Sequence, residues 1–326
     1  MLKRPKRLKG LRGQRGSAYI CTMKLALLLF IFPLLISAQS NPVELGAVHW
    51  LRSFEDAQGK SKKEGKPILI LFQEIPGCQT CRSYGSEVLT HPLLVEAIET
   101  NFIPLAIHNN KGGDDAAVLK KYNEPAWNNP VVRIVDSNGA DLVSRLSGNY
   151  SAAGLSSLMT TVLIKQKGKA PMYLQLLTDE LTAHQKGTAK ATYSMYCFWT
   201  GEALFGKLNG VMKTTAGYQG GKEVVTVEYD PALISKTALD KIAQNQKCSV
   251  STDGNFRPDS TPKYYLSNSK YNVIPMTELQ KCRVNSAIAE GQDPTIFISQ
   301  RQLTFLKTST NNLVNVPLIE AWIKSE

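Results

Sequence analysis

Trp50, Phe54 and Ala57 recur at helical spacing, and Gly65 and Pro67 bring that helix to a stop. The next run, "ILILF" at 68–72, has no polar break and predicts a strand buried on both faces. "SEVLTHPLLVEAIETNF" (86–102) reads as a helix broken near Pro92, and "IPLAIH" (103–108) as a second buried strand. "VVRIVDSNGADLVSRL" (131–146) predicts two strands around a Ser-Asn-Gly turn, and "GLSSLMTTVLI" (154–164) a helix. An amphipathic helix over 171–184, flanked by Lys and Gly, reads as a connector. Beyond it, "TYSMY" (192–196) predicts a strand and "WTGEALFGKL" (199–208) a helix. Towards the end, "MTELQKCRVNSAIAEG" (276–291) reads as a helix and "TIFISQRQLTFL" (295–306) as an apolar strand.

The 326 residues suffice for two domains, and a composition of 43% hydrophobic and 20% charged residues is that of a globular chain. The formal charge of +11 invites a nucleic-acid reading. Residues 1–38, however, carry eight Lys and Arg and no acid, so only +3 remains for the rest, and nucleic acid is discounted as a partner. The segment from Met23 has one Lys, an apolar run from Leu25 to Ile36, and then the small residues Ser37 and Ala38. That is the shape of a secretory signal peptide over 1–38, with residues 1–22 either an extended leader or an overlong start at which Met23 is the true beginning. The run is short for a membrane span and contains Pro33, so the expectation is a secreted or periplasmic protein and not an integral membrane protein. Removal of the segment leaves Cys78, Cys81, Cys197, Cys248 and Cys282, an odd set that points to working thiols rather than a static disulfide frame.

Cys78 and Cys81 are separated by two residues directly after the first buried strand. A cysteine where a strand ends and a helix begins meets free amide N–H groups and the positive end of the helix dipole, both of which favour a thiolate. Cys78 would attack and Cys81 would resolve. The alternatives are a static loop disulfide and half of a zinc site; zinc needs more ligands, and the nearest imidazole in sequence, His91, has no fitting partner. The order of strand, CxxC, helix, strand, Pro-led hairpin and helix over roughly 45–165 resembles the thioredoxin-like fold. That resemblance implies a cis Pro130 beside the reactive pair. "IPGC" and "EPAWNNPVVRIVD" further resemble thioredoxin-like proteins with a Val-Pro-Gly-selenocysteine motif, whose pattern would place Thr at position 81, where this chain has Cys.

The second half contains Cys197-Phe198-Trp199, Glu202, Gly210-Val211, Gly217-Tyr218-Gln219-Gly220-Gly221, Glu223 and Tyr229-Asp230-Pro231. In this order they resemble the A-type peptide methionine sulfoxide reductases over about 190–245. Reducing a sulfoxide needs a soft nucleophile for sulfur, a proton for the departing oxygen and an apolar seat for the methyl group. The resemblance assigns these to Cys197, to Glu223 with its pKa raised by burial among aromatics, and to Phe198 and Trp199. It also implies the S epimer as substrate and a sulfenic acid on Cys197 that a second thiol must attack. Tyr196 and Thr200 replace two family glycines, and the loop after Gly221 is nearly absent. The family's Asp-His-Gly-Thr-Gln-Tyr segment survives at most as "DSTPKYYLS" (259–267), with Tyr265 standing for its last Tyr. Cys248 and Cys282 are the resolving candidates, with direct attack by Cys78 a third route.

The expected fold class is therefore α/β (α+β): a thioredoxin-like domain over 39–168, a helical connector over 169–188, and a two-layer α/β domain similar to the A-type reductases over 189–326. No cofactor or metal is expected. The implied partners are oxidised protein substrates and an upstream membrane thiol electron donor. Two functions remain open. In one, the CxxC supplies electrons to Cys197, which reduces protein methionine sulfoxide; the tether would hold the two at millimolar effective concentration. In the other, the CxxC is a general thiol–disulfide oxidoreductase and the second domain a non-catalytic binder of clients.

Overall fold

The structure is a computed structural model and describes residues 41–251, 254–310 and 322; the expected signal segment lies outside these. The described residues form one compact unit. Its elements are α1 (Phe54–Glu64), β1 (Ile68–Gln73), α2 (Gln79–Ser83), α3 (Pro92–Asn101), β2 (Ile103–His108), α4 (Asp114–Tyr122), β3 (Val131–Val135), β4 (Leu146–Ser147) and α5 (Ala152–Lys167). Then follow α6 (Met172–Lys186), β5 (Ala189–Ser194), α7 (Phe198–Gly206), β6 (Val211–Gln219), β7 (Lys222–Tyr229), α8 (Lys236–Asn245), β8 (Ser249–Val250) and β9 (Arg257–Pro258). The last are α9 (Tyr264–Ser267), α10 (Glu278–Ala289) and α11 (Gln300–Thr310).

The first sheet has the order β2-β1-β3-β4, with β1 parallel to β2 and antiparallel to β3. All of β1 is buried because alternate residues feed opposite cores. Leu69 and Leu71 pack with α3 and α5, whereas Ile68, Ile70 and Phe72 pack with Ala57 of α1 and Val118 and Leu119 of α4. The break near Pro92 is real. A wide helical turn, Tyr84–Val88, follows α2, and Pro92 opens α3 at its first turn, where its missing N–H costs nothing.

The second sheet is antiparallel, in the order β8-β5-β7-β6-β9. Tyr193, Val225, Val227 and Tyr229 turn inward and meet Phe198 and Phe205 of α7 and Leu239 and Ala243 of α8. The expected connector is α6, and it belongs to both cores. Tyr173, Leu174 and Leu177 enter the first core, while Leu176 and Ala183 meet Met212 of β6 and Leu279 of α10. Glu96 on α3 adds a polar clasp, accepting from Ser299 Oγ at 2.5 Å and from the Arg301 N–H at 2.9 Å.

The apolar strand expected over 295–306 is instead a 3-10 turn (Pro294–Phe297) followed by α11. The reason is local. Ser299 Oγ accepts the Gln302 N–H at 3.2 Å and Gln302 Oε1 accepts the Ser299 N–H at 2.8 Å, a reciprocal cap that starts a helix. Among the described residues no helix is long and apolar enough to cross a membrane.

Candidate active site

Two cysteines sit where a strand gives way to a helix. Beyond β1 the chain turns through Glu74, Ile75, Pro76 and Gly77, and Cys78 becomes the N-cap of α2. Gly77 has to be glycine: a Cβ there would fall 2.4 Å from the Glu74 carbonyl oxygen and 2.6 Å from Cys81 Cβ. Glu44 pins the turn by accepting the Gly77 N–H at 2.9 Å. Gln73, fully buried, donates to the Glu44 and Cys81 carbonyl oxygens at 2.8 and 3.0 Å.

Cys78 is exposed and Cys81 buried, both reduced, with sulfurs 3.6 Å apart. The Cys81 backbone N–H, aimed at the Cys78 sulfur, and then the Cys81 thiol hold the Cys78 thiol below its ordinary range. Burial pushes Cys81 up to about 12, so it keeps its proton. Its thiol donates to Asn129 Oδ1 at 2.6 Å, and the peptide from Asn129 to Pro130 is cis. Trp127, in the same loop, is 82% exposed.

Cys197 is the N-cap of α7, three residues beyond the end of β5, and Tyr196 before it is fully exposed. Glu223 at the start of β7 is half-buried, and its Oε2 accepts the Phe198 N–H at 2.9 Å, which sets the carboxylate beside the helix start. The Phe198 and Trp199 rings lie 5.4 Å apart, and Tyr218 meets Phe198 edge-on at 5.2 Å. The ring stacked on Trp199, at 4.0 Å, belongs to Tyr264 and not to Tyr265, which stands edge-on behind Tyr264 at 5.6 Å. Trp199 also donates from Nε1 to Asp259 Oδ2 at 3.0 Å. The spacing was the missed signal: in Asp-His-Gly-Thr-Gln-Tyr the Tyr follows the Asp by five residues, and five beyond Asp259 is Tyr264. Gly201, displaced from the family position, packs under Met195, whose Cε would lie 2.6 Å from a Cβ there.

Glu202 is structural. Fully buried, it accepts the N–H groups of Ala216 and Lys263 at 3.1 and 2.9 Å and pairs with Lys263 Nζ at 3.4 Å. The two resolving candidates separate in space. Cys282 is fully buried on α10, with its sulfur 3.6 Å from Thr214 Oγ1, and its backbone carbonyl lies beside Gly206, at the opposite end of α7 from Cys197. Cys248 is half-buried and immediately precedes β8, whose Ser249 pairs with Ser194 on the strand that leads to Cys197. Burial holds the Cys248 thiol above its ordinary range.

Residues 49–137 match a family model described as thioredoxin-like. The downstream region is similar to peptide methionine sulfoxide reductases. Identity to the Drosophila melanogaster protein is 38% over 78 residues, covering 20% of this chain and 32% of that one. Identity to a Nostoc reductase is 41% over 63 residues (14% of this chain, 39% of that one), and to the A5 reductase of Arabidopsis thaliana 42% over 62 residues (15% and 24%). The chain thus spans about a quarter to two-fifths of the length of these curated relatives. Among solved structures, a DsbH oxidoreductase aligns over 40% of this chain and 92% of its own at 18% identity and a TM-score of 0.32. A Thermus thermophilus thioredoxin aligns over 37% and 91% at 20% identity and a TM-score of 0.32. The chain therefore carries a thioredoxin-like domain over residues 49–137, followed by a region similar to peptide methionine sulfoxide reductases.

Proposed function

We propose that this protein is an exported oxidoreductase acting on sulfur, in which Cys197 reduces methionine sulfoxide in oxidised proteins and the Cys78–Cys81 dithiol supplies the electrons. We assign residues 39–168 to the thioredoxin-like domain and 189–326 to the sulfoxide-reducing domain, with α6 between them. The observation that carries the reading is the ring set of Phe198, Trp199, Tyr218 and Tyr264 at the α7 start, with the Glu223 carboxylate against the Phe198 amide. It offers a nucleophile, an apolar seat for a methyl group and a carboxyl group within one helical turn.

The Cys197 sulfur attacks the sulfoxide sulfur. The oxygen takes a proton from Glu223 and passes to Cys197, so the S–O bond to methionine breaks, the sulfide leaves and Cys197 becomes a sulfenic acid. Cys248 attacks that sulfur, water departs and a Cys197–Cys248 disulfide forms; its place beside β5 favours it over the buried Cys282. Cys78 then attacks this disulfide and Cys81 displaces the mixed bond, leaving Cys197 and Cys248 reduced and Cys78 joined to Cys81. An external dithiol, on this reading membrane-bound, returns two electrons and two protons.

The test is a single turnover. Reduced protein, freed of reductant, is given a racemic aryl methyl sulfoxide, and chiral chromatography counts sulfide per chain. Consumption of the S epimer that vanishes in Cys197→Ser supports the reading. Absence of any sulfide from protein that still reduces insulin disulfides overturns it and leaves the CxxC as a general thiol–disulfide oxidoreductase with a client-binding partner.

A further inference from the structure

Beside the two thiols of the first site stands a third potential ligand that the redox cycle does not use. A carboxylate oxygen of Glu74 and the sulfurs of Cys78 and Cys81 all lie within 4.8 Å of one another. We propose that in the reduced protein Glu74, Cys78 and Cys81 form a three-ligand site for a zinc-class divalent cation, with the fourth position open to water.

Two observations support this. First, the sulfurs are already at metal-binding separation. Two thiolates, each about 2.3 Å from a tetrahedral zinc, stand about 3.8 Å apart; here the separation is 3.6 Å. Second, the carboxylate is brought there by the backbone. The turn between Glu74 and Cys78 closes so tightly on Cys81 that position 77 admits no Cβ, and Glu44 anchors it through the Gly77 N–H. Glu74 itself is half-buried.

The ligand set selects the class. Two thiolates with one carboxylate suit zinc and its borderline neighbours, whereas calcium and magnesium demand oxygen throughout. Exposure of Cys78 leaves the remaining position to solvent. On binding, both thiols release a proton to the medium and two metal–sulfur bonds form, with no change of oxidation state. The metal-bound dithiol cannot attack a disulfide, so the cation silences the reduced form only; the disulfide form has no thiolate to offer. The third ligand is an acid four residues before the first cysteine, not a histidine.

The experiment is an anaerobic titration of the fully reduced chain with Co2+, followed by displacement with Zn2+. The expected result is one Co2+ per chain, with sulfur-to-cobalt charge-transfer absorption and the visible bands of a four-coordinate ion. Both should vanish in Cys78→Ser, in Cys81→Ser and after selective oxidation of the pair, which leaves Cys197, Cys248 and Cys282 in place as controls. Glu74→Gln, with its fold verified by circular dichroism, should weaken binding at least about tenfold. Absence of the bands overturns the proposal. So does binding that survives oxidation of the pair, or that is as tight in Glu74→Gln as in the parent chain.

Discussion

Cys78 and Cys197 occupy the same local position: each caps a helix soon after a strand, with an extended backbone and the helix amides ahead of it. Their surroundings differ. Cys78 has a second thiol 3.6 Å away and a carboxylate nearby, on an exposed rim. Cys197 has aromatic rings and Glu223, and among the described residues no other sulfur within hydrogen-bonding reach. A strand-to-helix junction presents a sulfur; the groups around it decide what the sulfur does. With a partner thiol it exchanges disulfides, and with an apolar wall and an acid it is suited to accept an oxygen atom from a sulfoxide.

The sharpest way to break this comparison is to remove each nucleophile in turn. Cys197→Ser should lower sulfoxide reduction at least about 10³-fold and leave insulin reduction untouched, whereas Cys78→Ser should do the reverse in the insulin assay. In the single-turnover assay Cys78→Ser should still yield sulfide, in smaller total amount. Equal loss of both activities in either variant would mean the two sites are not separable. Glu223→Gln comes next. A general acid contributes about 10²–10⁴-fold, so the sulfoxide step should fall by about that factor, and the insulin assay should not move. If the glutamine variant keeps full sulfoxide activity, Glu223 only caps α7.

A smaller effect separates neighbouring tyrosines. Tyr264→Ala should raise KM for a sulfoxide about tenfold through loss of one stacked wall, while Tyr265→Ala should change it less than about twofold. The reverse order would return the role to Tyr265. The smallest effect is in pH dependence. Ionisation of Cys78 is favoured by the Cys81 amide, so its alkylation by iodoacetamide should rise with pH through a midpoint below the ordinary thiol value and then level off. Cys81, held protonated up to about 12, should stay unmodified throughout that range. Simultaneous alkylation of both would show that the fold does not separate their reactivity.

Much of this was readable along the chain. The uninterrupted run at 68–72 betrayed a strand covered on both faces because each of its alternate residues meets a different core. The CxxC and the Cys197 cluster were legible because their chemistry is written in adjacent or closely spaced residues. The C-terminal helix reads as a strand in sequence because its apolar content masks the Ser299–Gln302 cap. Tyr264 and Tyr265 look alike in sequence, and only the stacking of Tyr264 on Trp199 tells them apart.

By itself, the sequence determined the local junctions. Strand-to-helix transitions, caps, the glycine that lets Glu74 close on Cys81, and the positions of Cys78 and Cys197 follow from short-range sterics and hydrogen bonding, which need only a few neighbouring residues. Only the tertiary structure decided which distant groups share a site. Asn129 reaches Cys81 across 48 residues of chain, Asp259 reaches Trp199 across 60, and Cys282 is drawn into the core while Cys248 is laid beside β5. Those pairings depend on how sheets and helices bury their apolar faces against one another. That burial is collective, summed over both cores and the helix α6 they share, and no single stretch of residues contains it.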